Sequence, residues 1–164
     1  MKEYEHIVHP FPALYDGKCE ILILGSLPSV KSREQCFFYG HPQNRFWKVM
    51  AAVLNEKVPS TIEEKKHMLL KHHVALWDAI YSCDIAGSSD SSIKNVVPTD
   101  LTSIVRNSNI KRVFCNGATS GKYYKKYQQN VLGIEAEVLP STSPANAAYS
   151  LQRLTDIWGK KING

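Results

Sequence analysis

Four short apolar runs, each closed by turn residues and separated by helical patterns, constrain this chain more than any other feature. They are residues 19–24 (CEILIL), 74–77 (VALW), 112–115 (RVFC) and 136–139 (AEVL). The first and third are nearly continuous rather than alternating, as in strands covered on both faces of a parallel sheet. Residues 44–54 place Phe46, Val49, Met50, Val53 and Leu54 at spacings of three and four, and residues 61–72 open on a Thr-x-x-Glu capping box. Weaker helical patterns cover 100–107 and 118–128. Residues 145–158 gather Tyr149, Leu151, Leu154, Ile157 and Trp158 on one face. Strand and helix alternate throughout. The order predicts an α/β fold, a three-layer α/β/α sandwich on a central four-stranded, mainly parallel sheet with right-handed crossovers.

The chain has 164 residues, room for one sizeable core, and shows no repeat, low-complexity tract or linker, so one domain over 1–164 is expected. A hydrophobic share of 43% with only 9 Gly and 8 Pro excludes disordered and collagen-like chains. No run approaches the ~18–20 apolar residues of a membrane span, and the opening MKEYEHIVHPFP has no apolar leader core. The expectation is a cytoplasmic protein with no membrane partner. Cys19, Cys36, Cys83 and Cys115 form no CxxC, so reduced thiols are expected rather than disulfides, zinc or iron-sulfur ligation. His6, His9, His41, His67, His72 and His73 lack metal-ligand spacing, and no metal is expected. Twenty basic against 15 acidic side chains leave +5, a modest pointer to an anionic partner.

In parallel α/β sheets ligands sit beyond the carboxyl ends of the strands, so the residues after each run are the candidates for chemistry. Gly25-Ser26-Leu27-Pro28-Ser29 is a turn with free N–H groups and two hydroxyls, readable as a ligand loop or as plain structure; it matches neither GxGxxG nor a P-loop. Phe37, Phe38 and Tyr39 are either stacking platforms for bases or pins for a long loop, and a share of each is expected. Asn44 stands where a helix begins. It is read as an N-cap that could also orient a water or read a base edge, while Phe46 and Trp47 are assigned to the core. Asp78 is read as a cap for the next segment, with general base as the alternative. Asn116 and Gly117 lead into a helix, as a turn or an anion site. Residues 140–146 set three hydroxyls between two prolines, with Ser143 as N-cap and Pro144 opening a helix, and make the best phosphate site in the chain. The run 123–127 is read as a solvated helix face.

Taken together, Gly25-Ser26-Leu27-Pro28-Ser29, then His41-Pro42-Gln43-Asn44-Arg45-Phe46-Trp47, then Ser141-Thr142-Ser143-Pro144-Ala145-Asn146 resemble the uracil-DNA glycosylase superfamily over most of the chain. The block His-Pro-x-Asn-Arg-Phe-Trp is similar to that of the mismatch-specific uracil/thymine glycosylases. Leu27 stands where those enzymes carry a water-positioning Asn, a loss shared with the hypoxanthine-DNA glycosylase branch, whose catalytic Asn lies in His-Pro-x-Asn. Ala145 stands where relatives place a larger wedge. The resemblance implies a monofunctional DNA glycosylase that hydrolyses the N-glycosidic bond of a flipped hypoxanthine or uracil in double- or single-stranded DNA. It assigns the water to Asn44, the base edge to Gly25, Ser26 and Asn116, and base stacking to Phe38 or Tyr39. DNA phosphates fall to Ser29, Ser141, Ser143 and Asn146. A monomer with no cofactor and no lysine nucleophile is expected, its surplus charge gathered around Ser29, Arg45 and Ser143. The competing readings are a catalytically silent nucleic-acid binder and a metal-dependent phosphohydrolase.

Overall fold

A computed structural model describes residues 3–164; Met1 and Lys2, which open the stretch read for a leader, lie outside the described residues. In chain order the elements are β1 (Glu5–Val8), β2 (Ile21–Gly25), α1 (Val30–Gln35), α2 (Phe46–Val53), α3 (Ile62–Lys71), β3 (Val74–Asp78), β4 (Ile80–Ile85), β5 (Lys94–Pro98), α4 (Thr102–Arg106), β6 (Arg112–Asn116), α5 (Ala118–Tyr127), α6 (Gln129–Leu132), β7 (Ala136–Leu139) and α7 (Leu151–Asn163). The four expected runs form one sheet in the order β3-β2-β6-β7, every pair parallel. Central β2 buries Leu22, Ile23 and Leu24 completely because both faces are covered. Ile23, Phe114 and Leu76 face α2, α3 and α7, whereas Leu22, Leu24 and Cys115 face α4 and α5. That is the expected α/β/α layering.

A second sheet lies outside that expectation. Strands β1, β4 and β5 form an antiparallel sheet in the order β1-β4-β5. One residue, Ala79, separates β3 from β4. The chain switches sheets there because Ala79 N–H and Ile80 N–H donate to the carbonyls of Gly25 and Ser26 at 2.8 and 3.0 Å. β1 pairs with β4 and leads directly into His9, whose N–H donates to the Tyr81 carbonyl at 2.7 Å.

The largest departure among the helices is at the last one. Helix was expected from residue 145, with Ser143 as its cap, but α7 begins at Leu151 and its N-cap is Ser150, which accepts from Arg153 N–H at 3.1 Å. The carbonyls that a longer helix would have used are claimed from outside: the Arg45 guanidinium donates to Ser143 O at 2.9 Å, Asn146 O at 3.1 Å and Tyr149 O. A planar fork with several fixed donors can hold an irregular loop in this way, and helix propensity loses to it. The run 123–127 is likewise split rather than solvated, with Tyr123 and Tyr124 buried and Lys125 and Lys126 exposed. No helix is long and apolar enough to cross a membrane among the described residues.

Candidate active site at the strand ends

The carboxyl ends of β2, β3 and β6 open into a cleft of about 280 Å³. Its wall includes Gly25, Ser26, Ser29, Phe38, Tyr39, Asn44, Asp78, Asn116, Ser141, Thr142 and Ser143. Residues from five separate chain segments, 25–29, 38–44, 78, 116 and 141–143, therefore converge on one place. Of the positions singled out in the sequence, Asn146 lies outside the wall: its Nδ2 donates to Ser141 O at 3.0 Å, so it shapes the 141–149 loop from behind.

Asn44 is fixed through its side-chain oxygen. Oδ1 accepts from Phe46 N–H at 2.9 Å, at the first residue of α2, and from Thr142 Oγ1–H at 2.8 Å; the N-cap is Arg45, one residue later than expected, and its side chain makes no capping bond. Two donors fill both lone pairs of an amide oxygen, so Nδ2 is the end left for other partners. Thr142 also accepts from Asn116 Nδ2 at 3.0 Å, and its own N–H donates to Asn116 Oδ1 at 3.0 Å. A continuous polar chain, Asn44–Thr142–Asn116, thus joins the entry to α2, the 141–149 loop and the end of β6. Thr142 is completely buried, and its part was legible in sequence only as one hydroxyl among three.

The serines sit at the rim. Ser29 caps α1, accepting from Ser32 N–H at 3.2 Å, and α1 was not anticipated from the sequence. Ser141 Oγ accepts from Ser143 N–H at 3.1 Å, and Ser143 Oγ from Ala145 N–H at 3.2 Å. With no helix starting at Ser143, the dipole argument for anion binding there falls, and only the loop's own N–H and hydroxyl groups remain. Arg45 does not add free charge to this face, because its guanidinium is spent on main-chain carbonyls. Arg33 is the cation among the cleft-lining residues.

The aromatic run divides sharply. Phe37 and Phe38 are buried, 5.4 Å apart edge to face, and Phe38 also meets Phe11 at 4.9 Å, so Phe38 closes the back of the cleft rather than standing out as a platform. Phe46 and Trp47 are core, as read from the sequence. Tyr39 is different. Its backbone takes the left-handed conformation, φ 52°, uncommon for a bulky residue, and its ring lies 4.0 Å from the Phe46 ring at 20°, leaving the other face toward the cleft. Its hydroxyl is buried with no partner at hydrogen-bond geometry, and burial, reinforced by the nearby Asp78 charge and partly offset by the neighbouring Asn116 carboxamide, pushes the phenol well above its ordinary range. Tyr39 therefore stays neutral, with a proton to donate.

Asp78 is not a helix cap. It ends β3, is 3% exposed, and accepts from His9 Nε2–H at 2.6 Å. His9 was weighed in sequence only as a metal ligand. Sixty-nine residues separate the two, and only the second sheet brings them together. A Cβ added to Gly25 would overlap Asp78 Oδ1 and stand 3.1 Å from Tyr39 Oη, so glycine is required by contact at that corner. At Gly117, φ 97° and the Ser141 side chain require it at the mouth of α5. Burial also pushes the Cys115 thiol up to about 11, so no thiolate nucleophile stands beside Asn116.

Chemically, the cleft offers carboxamides, hydroxyls, one aromatic face and one buried carboxylate, with no three His, Cys, Asp or Glu side chains grouped to hold a metal among the described residues. The chain is similar to known proteins of one family. The family model described as the uracil DNA glycosylase superfamily matches residues 12–162. A Methanosarcina acetivorans protein named hypoxanthine DNA glycosylase is 37% identical over 145 residues, 87% of this chain and 90% of that one. One of the same name from Methanosarcina barkeri is 34% identical over 139 residues, 83% and 86% of the two chains. The solution NMR structure of a Methanosarcina acetivorans protein, described provisionally as a uracil DNA glycosylase, superposes with a TM-score of 0.75 at 33% identity, covering 92% of this chain and 95% of the other.

Proposed function

Because the chain belongs to the uracil-DNA glycosylase superfamily, we propose that it hydrolyses the N-glycosidic bond of a deaminated base, hypoxanthine foremost, flipped out of DNA into the strand-end cleft. The relatives' names support the reaction and the base. The observation that carries the assignment of roles is the chain Asn44–Thr142–Asn116, which fixes two carboxamides on one wall of the cleft. The scissile bond is out of reach while a base is stacked, so the nucleotide swings out, at least cost when its pairing is already weak. Glycosidic cleavage develops positive charge on the sugar and negative charge on the base. The protein's tasks are then to hold a water under C1′ and to place donors around the departing base.

Asn44 holds the water through Nδ2, its oxygen being tied down. Asn116 and the main-chain N–H groups of Gly25 and Ser26 meet the base edge, and the open face of Tyr39 stacks on the base with Phe38 behind. Ser29, Ser141 and Ser143 contact phosphates at the rim, and Asn146 shapes the loop that presents two of them. The water attacks C1′, its proton passes to solvent, and the base leaves with the glycosidic electron pair. No step calls on a lysine adduct or a metal. The four unpaired thiols suit a reducing interior such as the cytoplasm.

The test is base release under single-turnover conditions from duplexes and single strands carrying one hypoxanthine, uracil, xanthine or mismatched thymine. Hypoxanthine should be released fastest. Binding of these DNAs with no release of any base would leave the silent-binder reading instead. Gly25 gives a sharper check of where the base sits. Gly25→Ala should slow hypoxanthine release by about 100-fold, since the methyl group displaces Asp78 and Tyr39 where a shift of about 1 Å carries that penalty. An alanine protein as fast as the parent would place the base elsewhere.

A further inference from the structure

Three arginines are half-buried, and the fold uses the guanidinium groups of only two of them. Arg45 donates to carbonyls of the 141–149 loop, and Arg112 to those of Lys161 and Ile162 in α7. Arg33, in the last turn of α1, makes no side-chain hydrogen bond among the described residues, although that side chain is only 20% exposed and its Nε is buried. A covered guanidinium without acceptors is costly, because its N–H groups have given up water without gaining a partner. Two acids are near. Glu5 Oε1 of β1 stands 3.8 Å from the guanidinium, beyond hydrogen-bond reach, and its own side chain is exposed, so that pair is screened and weak. Asp90, on the same wall, accepts from Thr119 Oγ1–H at 3.0 Å. Arg33 is thus left open to the cleft that it lines.

Its place in the cleft says what fits it. The wall runs from Ser141 and Ser143, in the loop that Arg45 ties to α2, as far as Ser88 and Asp90, which follow β4. Arg33 stands at that second end, beside β1. The reaction described above gives this end no part. A nucleotide carries a phosphodiester on each side of its sugar, so a strand that lays one on the serines of the 141–149 loop carries the following ones away from them, across the cleft. Guanidinium meets phosphate by parallel N–H···O bonds, a geometry that no hydroxyl can supply. We propose that Arg33 binds a backbone phosphodiester of the DNA at the second-sheet end of the cleft, on the other side of the flipped nucleotide from Ser141 and Ser143. This inference takes from the glycosylase reading only that a DNA strand crosses the cleft. Contacts to phosphate carry no base information, but they fix the register of a strand. Arg33 therefore helps to set which nucleotide comes to stand before Asn44.

The test pairs the residue with individual phosphates. Equilibrium binding is measured to duplexes that carry one hypoxanthine and, in turn, an uncharged methylphosphonate at each phosphodiester flanking it; a 2′-fluorine on the hypoxanthine nucleotide keeps the base in place meanwhile. At one position the loss of charge should weaken the parent protein by about 10-fold, the low end for a hydrogen bond to a charged partner. Arg33→Met should lose less than about 2-fold there, because both changes remove the same contact. Lys31→Met removes an equal charge from the exposed side of the same helix and should keep the parent's loss of about 10-fold. Arg33→Met should melt within about 2 °C of the parent, since no hydrogen bond of the fold goes with the side chain. Equal losses in Arg33→Met and the parent at every position overturn the proposal. So does a melting temperature lower by more than about 5 °C, which would assign the guanidinium to the fold. Release of hypoxanthine from the unfluorinated duplex without the coupling leaves the glycosylase reading standing and removes this site. The coupling without release keeps the site and overturns that reading.

Discussion

Replacing Asn44 with alanine should lower the single-turnover rate of hypoxanthine release by about 1,000-fold while changing DNA affinity by no more than a few-fold. Two roles meet in this side chain, and their magnitudes separate them. At the entry to α2, Asn44 Oδ1 satisfies Phe46 N–H, and losing one such hydrogen bond costs about 1 kcal/mol of stability. As the holder of the attacking water it acts at the reacting centre, where removal of one well-placed donor costs about 100- to 1,000-fold, or roughly 3–4 kcal/mol of barrier. A protein about 1 kcal/mol less stable is still almost wholly folded, so loss of that bond alone cannot depress the rate. The measurement is a release rate beside a thermal melt. A rate within 10-fold of the parent would move the water to another residue.

Arg45→Ala should destabilise the protein by about 2–4 kcal/mol and slow base release by about 100-fold. Its guanidinium donates to the carbonyls of Ser143, Asn146 and Tyr149 and, at 3.4 Å, to Thr142, and its main-chain N–H donates to Thr142 O at 3.1 Å. Without the side chain those partly buried carbonyls lose their donors together, each hydrogen bond to a charged group being worth about 1.5–3 kcal/mol before water replaces some of them. The slowing follows from geometry. Thr142 is the link between Asn44 and Asn116, so a loosened 141–149 loop frees the water-holding carboxamide. Arg45→Lys should rescue little of either effect, because an ammonium cannot reproduce the planar fork. A melting temperature within about 2 °C of the parent, with normal release, would show that the loop holds itself; the expected fall is roughly 5–10 °C.

How much was legible beforehand differs by residue. The sheet could be read because β2 and β6 are covered on both faces and their sequences must be apolar throughout. Asn44 could be read because a short motif holds it at the entry to α2, although the N-cap itself is Arg45. Asp78 and His9 could not be read as partners, since neither local pattern contains the other and the small antiparallel sheet that joins them was itself not anticipated. Strand β4 follows β3 after a single residue, leaving no turn signal to mark a second element. The 145–158 stretch was misread for a different reason: its periodicity is real from Leu151 onward, but a distant guanidinium takes the carbonyls of the preceding turn.

By itself, the sequence determined the layered parallel sheet, its buried strands, and the three segments at its carboxyl edge that resemble a glycosylase. Those features follow from local periodicity and contiguous motifs, which a chain carries in its own order. Only the tertiary structure decided that Arg45 is a clasp rather than part of a free basic surface, that Thr142 couples the two asparagines, and that Asp78 pairs with His9 beside the Tyr39 hydroxyl. Each of those depends on which groups are left unpaired after packing, and hydrogen bonds between residues as many as 104 positions apart settle that.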